Sequence, residues 1–469
     1  MFDIAIILIL RIALAVYSVY PLTTIEIGNV GHPRSFIPSE TSNDSEKIVS
    51  DLLFRKLFKY DDGELINDLV ESWHTNDEKT EYRIKLKENQ RWQDGNIINA
   101  NDVIYTITRY ETLRNDLAIE RLSEREVLIK VGTPNAILPT ILTFGIEPSH
   151  LKTQSKMYAI GSSSYRVARV TKEQSKIESV VLVSLKSDKQ YNKVIVRFYD
   201  DENTVATAYK LGELDIFLSS QDVIWDGLER VGTTFAGRQY AMLFNTNNVK
   251  LENAEIRKTL LNALDIEELL QGNYYINARP AQGPISYSKY TREEYKKTFH
   301  IPDAQLTPAQ QGALQEIKVL LPNNQDGRRI ESFVNKYWHD NLGIDVEFEY
   351  MSMDEIFDKT DGGNFDVIFI GYETSPDPDR YIYWHSTQSN ILNLSNFVDL
   401  RADRSLEEGR KFYSYEERKE HYDIFQDVFI SKTPAIFLYH PGTYIYKQKK
   451  KEFPIPKIMY YPSDIVKNL

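Results

Sequence analysis

The stretch Tyr82–Arg109, "YRIKLKENQRWQDGNIINANDVIYTITR", decides how the rest of the chain is read. Tyr82, Ile84 and Leu86 alternate with Arg83, Lys85 and Lys87, the period-two pattern of a strand with one buried and one wet face. Asp94-Gly95 supplies a tight turn. Asn99, with Asp102 at the third helical position, is a capping box for a helix that carries Val103, Ile107 and Tyr110 on one face. A strand, a turn and a capped helix thus follow one another, which points to a mixed α/β fold. Trp92 sits in the most polar part of the run and has no local reason to be there.

The same punctuation recurs on both sides. "TIEIGN" reads as a strand, and Asn43 with Glu46 opens a helix whose apolar stripe is Ile48, Val49, Leu52, Leu53 and Leu57, ended at Asp62-Gly63. Val194, Val196 and Phe198 form a strand, Asn203 to Leu211 a helix closed by Gly212, and Leu214 to Leu218 a second strand, a βαβ unit that requires parallel pairing. A strand from Tyr240 then leads into a helix capped at Asn253 and stopped by Gly272. A βαβαβ unit follows: Ile317 to Leu321, a helix Arg328 to Asn341, Ile344 to Tyr350, a helix Met353 to Thr360, and Phe365 to Ile370. Near the end, Ser414 and Glu417 cap a helix bearing Tyr422, Phe425 and Phe429, and Pro434 precedes the strand Ala435 to Tyr439.

The chain has 469 residues, enough for one large or two medium domains, since single cores stop growing near about 250–300 residues. Its net charge of −12 argues against a nucleic-acid partner, which requires a basic face. It contains no cysteine, which removes disulfides, thiol nucleophiles and a lipid-modified cysteine. The segment up to residue 22 opens with the most hydrophobic run in the chain, "MFDIAIILILRIALAVYSVY". It is expected to be a secretory signal or short membrane anchor, with Ala13-Leu14-Ala15 as a weak cleavage cue and Arg11 a costly interruption. A buried core helix is the competing reading.

No phosphate-binding glycine loop, dinucleotide fingerprint, nucleophile elbow or zinc helix is present. Ser149 and Lys152 match an S-x-x-K pattern without its companion motifs, and the eight histidines are scattered. The pairs Asp61-Asp62 and Asp377-Pro378-Asp379 lack the alternating oxygens of a calcium loop and read as solvated turns. The chain is therefore not expected to be an enzyme, and no cofactor or metal is expected. What it offers is a binding edge. In open α/β sheets ligands sit beyond the carboxyl ends of strands, and the strand ending at Ile370 runs into "GYETSPDPDRYIYWHS", where Tyr372, Tyr381, Tyr383 and Trp384 could stack on a ligand or pack between layers.

Together these motifs resemble the extracellular solute-binding proteins of family 5, the oligopeptide- and dipeptide-type receptors of ATP-binding-cassette importers. The opening stretch carries the most specific part of the likeness. "SDLLFRKLFKYDDGELINDLVESW", "GIEPSHL", "LGELDIF", "LFNTNN" with "IRKTLLNALDIEELL", and "GYETSPDPDRYIYW" continue it in order. Two places depart from the pattern: Gly161-Ser162-Ser163-Ser164-Tyr165 replaces a Gly-Thr-Gly-Pro-Tyr, and Glu373-Thr374-Ser375-Pro376 stands where relatives carry an Asp for a peptide's amino terminus.

The resemblance implies a bilobal class C, periplasmic-binding-protein-like (type II) α/β fold with an extra subdomain on the first lobe. Lobe one would span 25–242, with the extra subdomain at about 45–165. Lobe two would be 243–436, and 437–469 would return to lobe one. A peptide or other small solute would lie between closing lobes, pairing as an added strand. Ser42, Asn43 and Asp44 on one lobe would clamp it against Tyr372, Glu373, Thr374, Ser375 and Trp384 on the other, with Glu373 as the anion for an ammonium group. The implied partner is an importer permease, outside the cytoplasm, with the N-terminal segment as membrane tether and the protein a monomer. Left open are a receptor for a sugar, metal chelate or signalling peptide, and a tethered peptide scaffold without a transporter.

Overall fold

In the computed structural model, residues 23–469 are described, apart from 224–227, 273, 293–304, 315, 362, 390 and 450. The apolar leader lies outside the described residues.

The chain starts with strand β1 (Thr24–Val30), helix α1 (Asp44–Leu53) and a hairpin of β2 (Phe58–Asp61) and β3 (Glu64–Asn67). Strands β4 (Val70–Thr75) and β5 (Glu81–Leu86), helix α2 (Ala100–Arg109), and strands β6 (Leu117–Arg121) and β7 (Glu126–Val131) follow; the four strands form one sheet in the order β4-β5-β7-β6. Next come β8 (Tyr165–Glu173), β9 (Lys176–Ser184), β10 (Lys193–Tyr199), α3 (Glu202–Lys210), β11 (Ile216–Ser219) and β12 (Leu228–Thr234). With β1 and the late strand β19 (Gly442–Gln448) they build a seven-stranded sheet of order β12-β19-β11-β1-β10-β9-β8.

Strand β13 (Arg238–Phe244) opens a second lobe with α4 (Ala254–Ala263), α5 (Ile266–Leu270), β14 (Arg279–Pro280), β15 (Ile317–Pro322), α6 (Gln325–Val334), β16 (Val346–Met351), α7 (Met353–Asp361) and β17 (Val367–Glu373). Helices α8 (Leu400–Gly409) and α9 (Tyr415–Lys432) and strand β18 (Ala435–His440) complete it, and its sheet runs β14-β18-β13-β17-β15-β16. The architecture is the expected two-lobed α/β fold with an added subdomain. The lobe limits expected at 242/243 and 436/437 lie inside β13 and β18, both of which pair in the second sheet. The chain passes between the two sheets at 235–237 and at 441.

Most elements form where the sequence puts them, and the differences have local causes. In the βαβ unit, β10 and β11 are parallel as expected, but β1 lies between them and pairs with both. The helix from Asn253 breaks at Leu264, because Asp265 caps a new helix by accepting a bond from the Glu268 N–H. The helix expected to run to Asn341 becomes a π-helix over Asn335–Asn341, where the consecutive Tyr337 and Trp338 are both buried. Asp62-Gly63 does not end a helix, since α1 stops at Leu53; the pair turns the β2–β3 hairpin, with Asp62 and Gly63 at positive φ.

The opening stretch explains its own tryptophan. Trp92 is buried, and its indole Nε1–H donates to Asp102 Oδ2 at 3.0 Å. The same carboxylate caps α2 through the Asn99 N–H at 2.9 Å and accepts from both the N–H and the hydroxyl of Ser149, at 2.8 and 2.6 Å. Asp102 is fully buried, so these donors carry its charge in place of water. Ser149 is thus a structural donor to Asp102. Asp102→Ala strands these donors together and is expected to cost about 3 kcal/mol, because each buried orphan loses its full hydrogen-bonding partner. A thermal unfolding midpoint within a degree or so of wild type would refute this.

His440 ends β18 with a buried ring whose nitrogens make no well-aligned hydrogen bond, edge-on to Tyr287 at 5.0 Å. Burial pulls its pKa from 6.5 down to about 4. The unfolded chain takes up this proton below its ordinary pKa while the fold refuses it until lower pH, so the contribution is whole above pH 6.5 and falls away as pH drops toward 4. His440→Leu is expected to remove about 3 kcal/mol of the acid-induced loss at pH 4. The check is the difference between unfolding midpoints at neutral and acid pH, which should shrink in the variant.

Candidate functional site

The two lobes are joined by a ribbon. Phe235–Gly237 carries the chain from β12 to β13, and Pro441 carries it back from β18 to β19; the Phe235 N–H donates to the Pro441 carbonyl at 2.9 Å. The C-terminal segment joins as a third partner, with the Ala236 and Gly237 N–H groups donating to Met459 and Tyr460 carbonyls at 3.0 Å each. Glycine is required at 237, since a Cβ there would stand 2.8 Å from the Tyr461 ring.

From this ribbon β17 leads directly into the site. Glu373 pairs with Arg238, and the Thr374 N–H continues the ladder to the Gly237 carbonyl at 2.8 Å. The Thr374 carbonyl accepts from the Tyr461 hydroxyl at 2.8 Å. The loop that follows is locked from behind. Asp377 is chelated by Arg418 of α9 at 2.9 and 2.7 Å, both side chains 7% exposed, and Asp379 pairs with Arg410 at 2.7 Å. Burial opposes the Arg418 charge, but Asp377 outweighs it and holds the guanidinium above its ordinary range. Arg380 donates to the carbonyls of Pro284, Asp377 and Asp379 at 2.9, 2.6 and 2.9 Å. The expected solvated turn at 377–379 is therefore corrected: helix α9 brings an arginine against it, and the carboxylates are buried ion pairs.

This rigid loop presents Ser375 and Pro376 to two chambers between the lobes. The larger, of about 690 Å³, is walled by α1, the segment 162–165 and the C-terminal segment. The smaller, of about 400 Å³, is rich in aromatic residues, with Tyr60, Trp73, Tyr287, Tyr290, Tyr413 and Tyr460 among its walls. Tyr60, Tyr460, Ser375 and Pro376 line both. The Tyr60 hydroxyl is buried beside Ser375 and Thr140 without a well-formed hydrogen bond, and burial, with the nearby Asp377 carboxylate, pushes its pKa up. Volumes of this size suit a small solute or short peptide.

A second set of contacts closes the lobes beside the loop. Asp44 and Lys47, one turn apart on α1, face the second lobe. Asp44 takes Arg238 at 2.7 Å, Arg238 reaches Glu373 at 3.1 Å, and Lys47 reaches Glu373 at 3.0 Å. Burial works against the Arg238 charge, yet Asp44 and Glu373 hold it above its ordinary range. Two cations and two carboxylates thus balance across the lobe boundary.

Of the expected clamp residues, Thr374 and Ser375 line the smaller chamber, and Ser375 the larger as well. Asp44 and Glu373 meet through Arg238 rather than standing free. Asn43 caps α1 by accepting from the Glu46 N–H, and Ser42 donates its N–H to the Glu46 carboxylate at 2.7 Å. Tyr372 donates to Gln239 at 3.0 Å and packs on Tyr383 at 5.0 Å. Trp384 faces away from the chambers: it is 2% exposed and packs edge-on against Phe429 and Phe437, because α9 covers it. Missed in the sequence were Tyr60, Lys47, Arg238, Tyr460 and Tyr461. Only Lys47 had a local signal, its helical spacing from Asp44. Among the described residues no group of three or more His, Cys, Asp or Glu is arranged to hold a metal.

Two α/β lobes joined by a three-stranded ribbon, with two half-open chambers at their boundary, define a cleft-type binding protein. The chain belongs to the bacterial extracellular solute-binding proteins, family 5, whose middle-region model matches residues 64–393. It is 20% identical, over an alignment 481 positions long, to the oligopeptide-binding protein AppA of Bacillus subtilis (strain 168), covering 89% of this chain and 86% of that protein. The fold is similar to that of the ABC transporter-associated periplasmic binding protein DppA from Helicobacter pylori in complex with peptide STSA, with a TM-score of 0.75 at 15% identity, over 95% of this chain and 97% of that one. It is also similar to that of NikZ from Campylobacter jejuni in complex with Ni(L-His), with a TM-score of 0.72 at 20% identity, over 94% and 97% of the chains.

Each exposed ion pair in the closing contact is worth up to about 1 kcal/mol. The double variant Asp44→Asn, Glu373→Gln is expected to populate a more open form. Small-angle scattering of the unliganded protein would show a larger radius of gyration, and an unchanged radius would count against the closing role.

Proposed function

We propose that the chain is the extracytoplasmic receptor of an ABC importer and that its cargo is a peptide held across the junction of the two chambers. The observation that carries this reading is the rigid Ser375–Pro376 segment, which lines both chambers at once. An extended ligand crossing it would offer main-chain groups to the loop and side chains to either chamber, with net gains of about 0.5–1.5 kcal/mol per hydrogen bond. The peptide names of the relatives AppA and DppA support the assignment.

In this reading the clamp residues divide their work. Ser375 and Thr374 belong to the ligand-facing wall. Asp44 and Glu373 hold the lobes shut, and Glu373 serves Lys47 and Arg238 instead of a ligand ammonium group. The lobe boundaries sit at the ribbon, the N-terminal apolar segment tethers the protein or directs its export, and the receptor works as a monomer. Among the described residues no helix is long and apolar enough to cross a membrane.

Native mass spectrometry of freshly purified protein tests the assignment, with retained peptides as the expected result and a retained non-peptide solute as the refuting one. The released peptide, added back at about 100 times its Kd, should stabilise the protein by about 2.7 kcal/mol in a thermal shift measurement.

A further inference from the structure

The added subdomain touches the second lobe through residues other than the charged set on α1. The loop 410–414, between α8 and α9, meets the four-stranded sheet and its connections. The Ala136 N–H, in the segment after β7, donates to the Arg410 carbonyl at 2.5 Å. The Tyr413 ring stands 5.7 Å from that of Trp73 in β4, with the Lys79 ammonium 5.3 Å from its centre. Its hydroxyl meets that of Tyr82 in β5 at 3.5 Å. The receiving surface is braced from within: the Asn135 N–H donates to the Lys79 carbonyl at 2.9 Å, and the Tyr82 hydroxyl donates to the Asn135 carbonyl.

Trp73, Ala136 and Tyr413 all line the smaller chamber, as do Ala236 and Tyr460 of the ribbon. The chamber therefore lies between the ribbon, where the lobes are joined, and this contact, where they only touch. The contact is built to part. Tyr413 is 45% exposed, its hydroxyl bond is long, and the neighbouring Thr75 hydroxyl is buried without a well-formed hydrogen bond. What remains is one main-chain hydrogen bond, an aromatic pair and a cation over a ring, each a small contribution. Arg410 links the contact to the ligand-facing loop, because its guanidinium holds Asp379 while its carbonyl receives Ala136. Phe412 stacks on His421 at 5.5 Å and so fixes the 410–414 loop on α9, the helix that carries Arg418 to Asp377.

We propose that the added subdomain is a latch: Trp73 and Ala136 engage Tyr413 and the Arg410 carbonyl, bias the lobes toward closure over the smaller chamber, and set how long a ligand stays. The effect on residence rests on the reading of the two chambers as the ligand site; the bias itself does not. The latch differs in kind from the ion pairs of Asp44, Arg238, Glu373 and Lys47. Salt screens partly exposed charges, whereas ring packing and a main-chain hydrogen bond persist in it.

The lack of cysteine in the chain makes site-specific labelling clean. Thr133→Cys in the added subdomain and Lys411→Cys in the second lobe, introduced into the full-length protein and bearing nitroxides, report the separation across the latch by pulsed electron paramagnetic resonance. Without ligand, the labelled parent should show a short-distance population. Adding Tyr413→Ala should raise the ratio of long to short distances about fivefold, the scale of one aromatic pair, while Tyr413→Phe, which keeps the ring, should stay within about twofold. The shift should be equal at about 0.1 and 1 M salt. No short-distance population in the parent, an unshifted distribution in Tyr413→Ala, or a shift confined to low salt overturns the latch. In a second arm, a random pentapeptide pool captured by the unlabelled wild-type protein should leave Tyr413→Ala about fivefold faster, read by mass spectrometry of the peptides still bound over time. Unchanged release overturns the role in ligand residence. A pool that the wild type does not capture counts against the peptide reading, and the distance measurement still decides the latch.

Discussion

The ribbon that passes between the two sheets is the constraint on which the rest of the structure depends. Strand β12 continues into β13 and β18 into β19, so two adjacent antiparallel segments each belong to both lobes. The bond from the Phe235 N–H to the Pro441 carbonyl holds them together at the point of passage, and the 459–460 carbonyls fix them to the C-terminal segment. Because β17 pairs with β13 up to Glu373, its exit loop emerges at the lobe boundary. The cleft follows from this pairing: the loop that meets both chambers is delivered there by strand register.

Charge then acts at two depths. The Asp377–Arg418 pair is buried and stiffens the loop, and removing one partner of such a pair costs far more than the pair itself contributes. The four charges that join α1 to β17 are partly exposed, so they bias the lobes without welding them. A fold also found in NikZ, whose structure is a complex with Ni(L-His), leaves selectivity to the chemistry of the cavity walls.

Local signals in the chain were strong wherever one residue type had one physical use. The capping box at Asn99 and Asp102, the caps at Asn253 and Ser414, and the alternation of Tyr82, Ile84 and Leu86 all form as read. Caps also misled: Asp265 begins a new helix inside what periodicity presents as one, because an N-cap works equally well in mid-sequence. The site was less legible. Ser375 and Thr374, reached from the strand that precedes them, line the smaller chamber, whereas Trp384, expected beside them, is covered by α9, because an aromatic after a strand end looks the same whether it faces a cleft or a helix.

By itself the sequence determined the alternation of strands and helices, the family likeness, the absence of thiol chemistry and the acidic balance, since each depends on neighbours along the chain or on composition. Tertiary structure alone decided that Trp92 is the buried donor to Asp102, that Asp377 answers to Arg418 forty-one positions away, that Glu373 is held by Lys47 and Arg238, and that Tyr60, Ser375, Pro376 and Tyr460 line both chambers. Apart from Trp92 and Asp102, ten positions apart, those pairings are long-range, and a hydrogen bond between distant residues leaves no period or spacing in the sequence that could announce it.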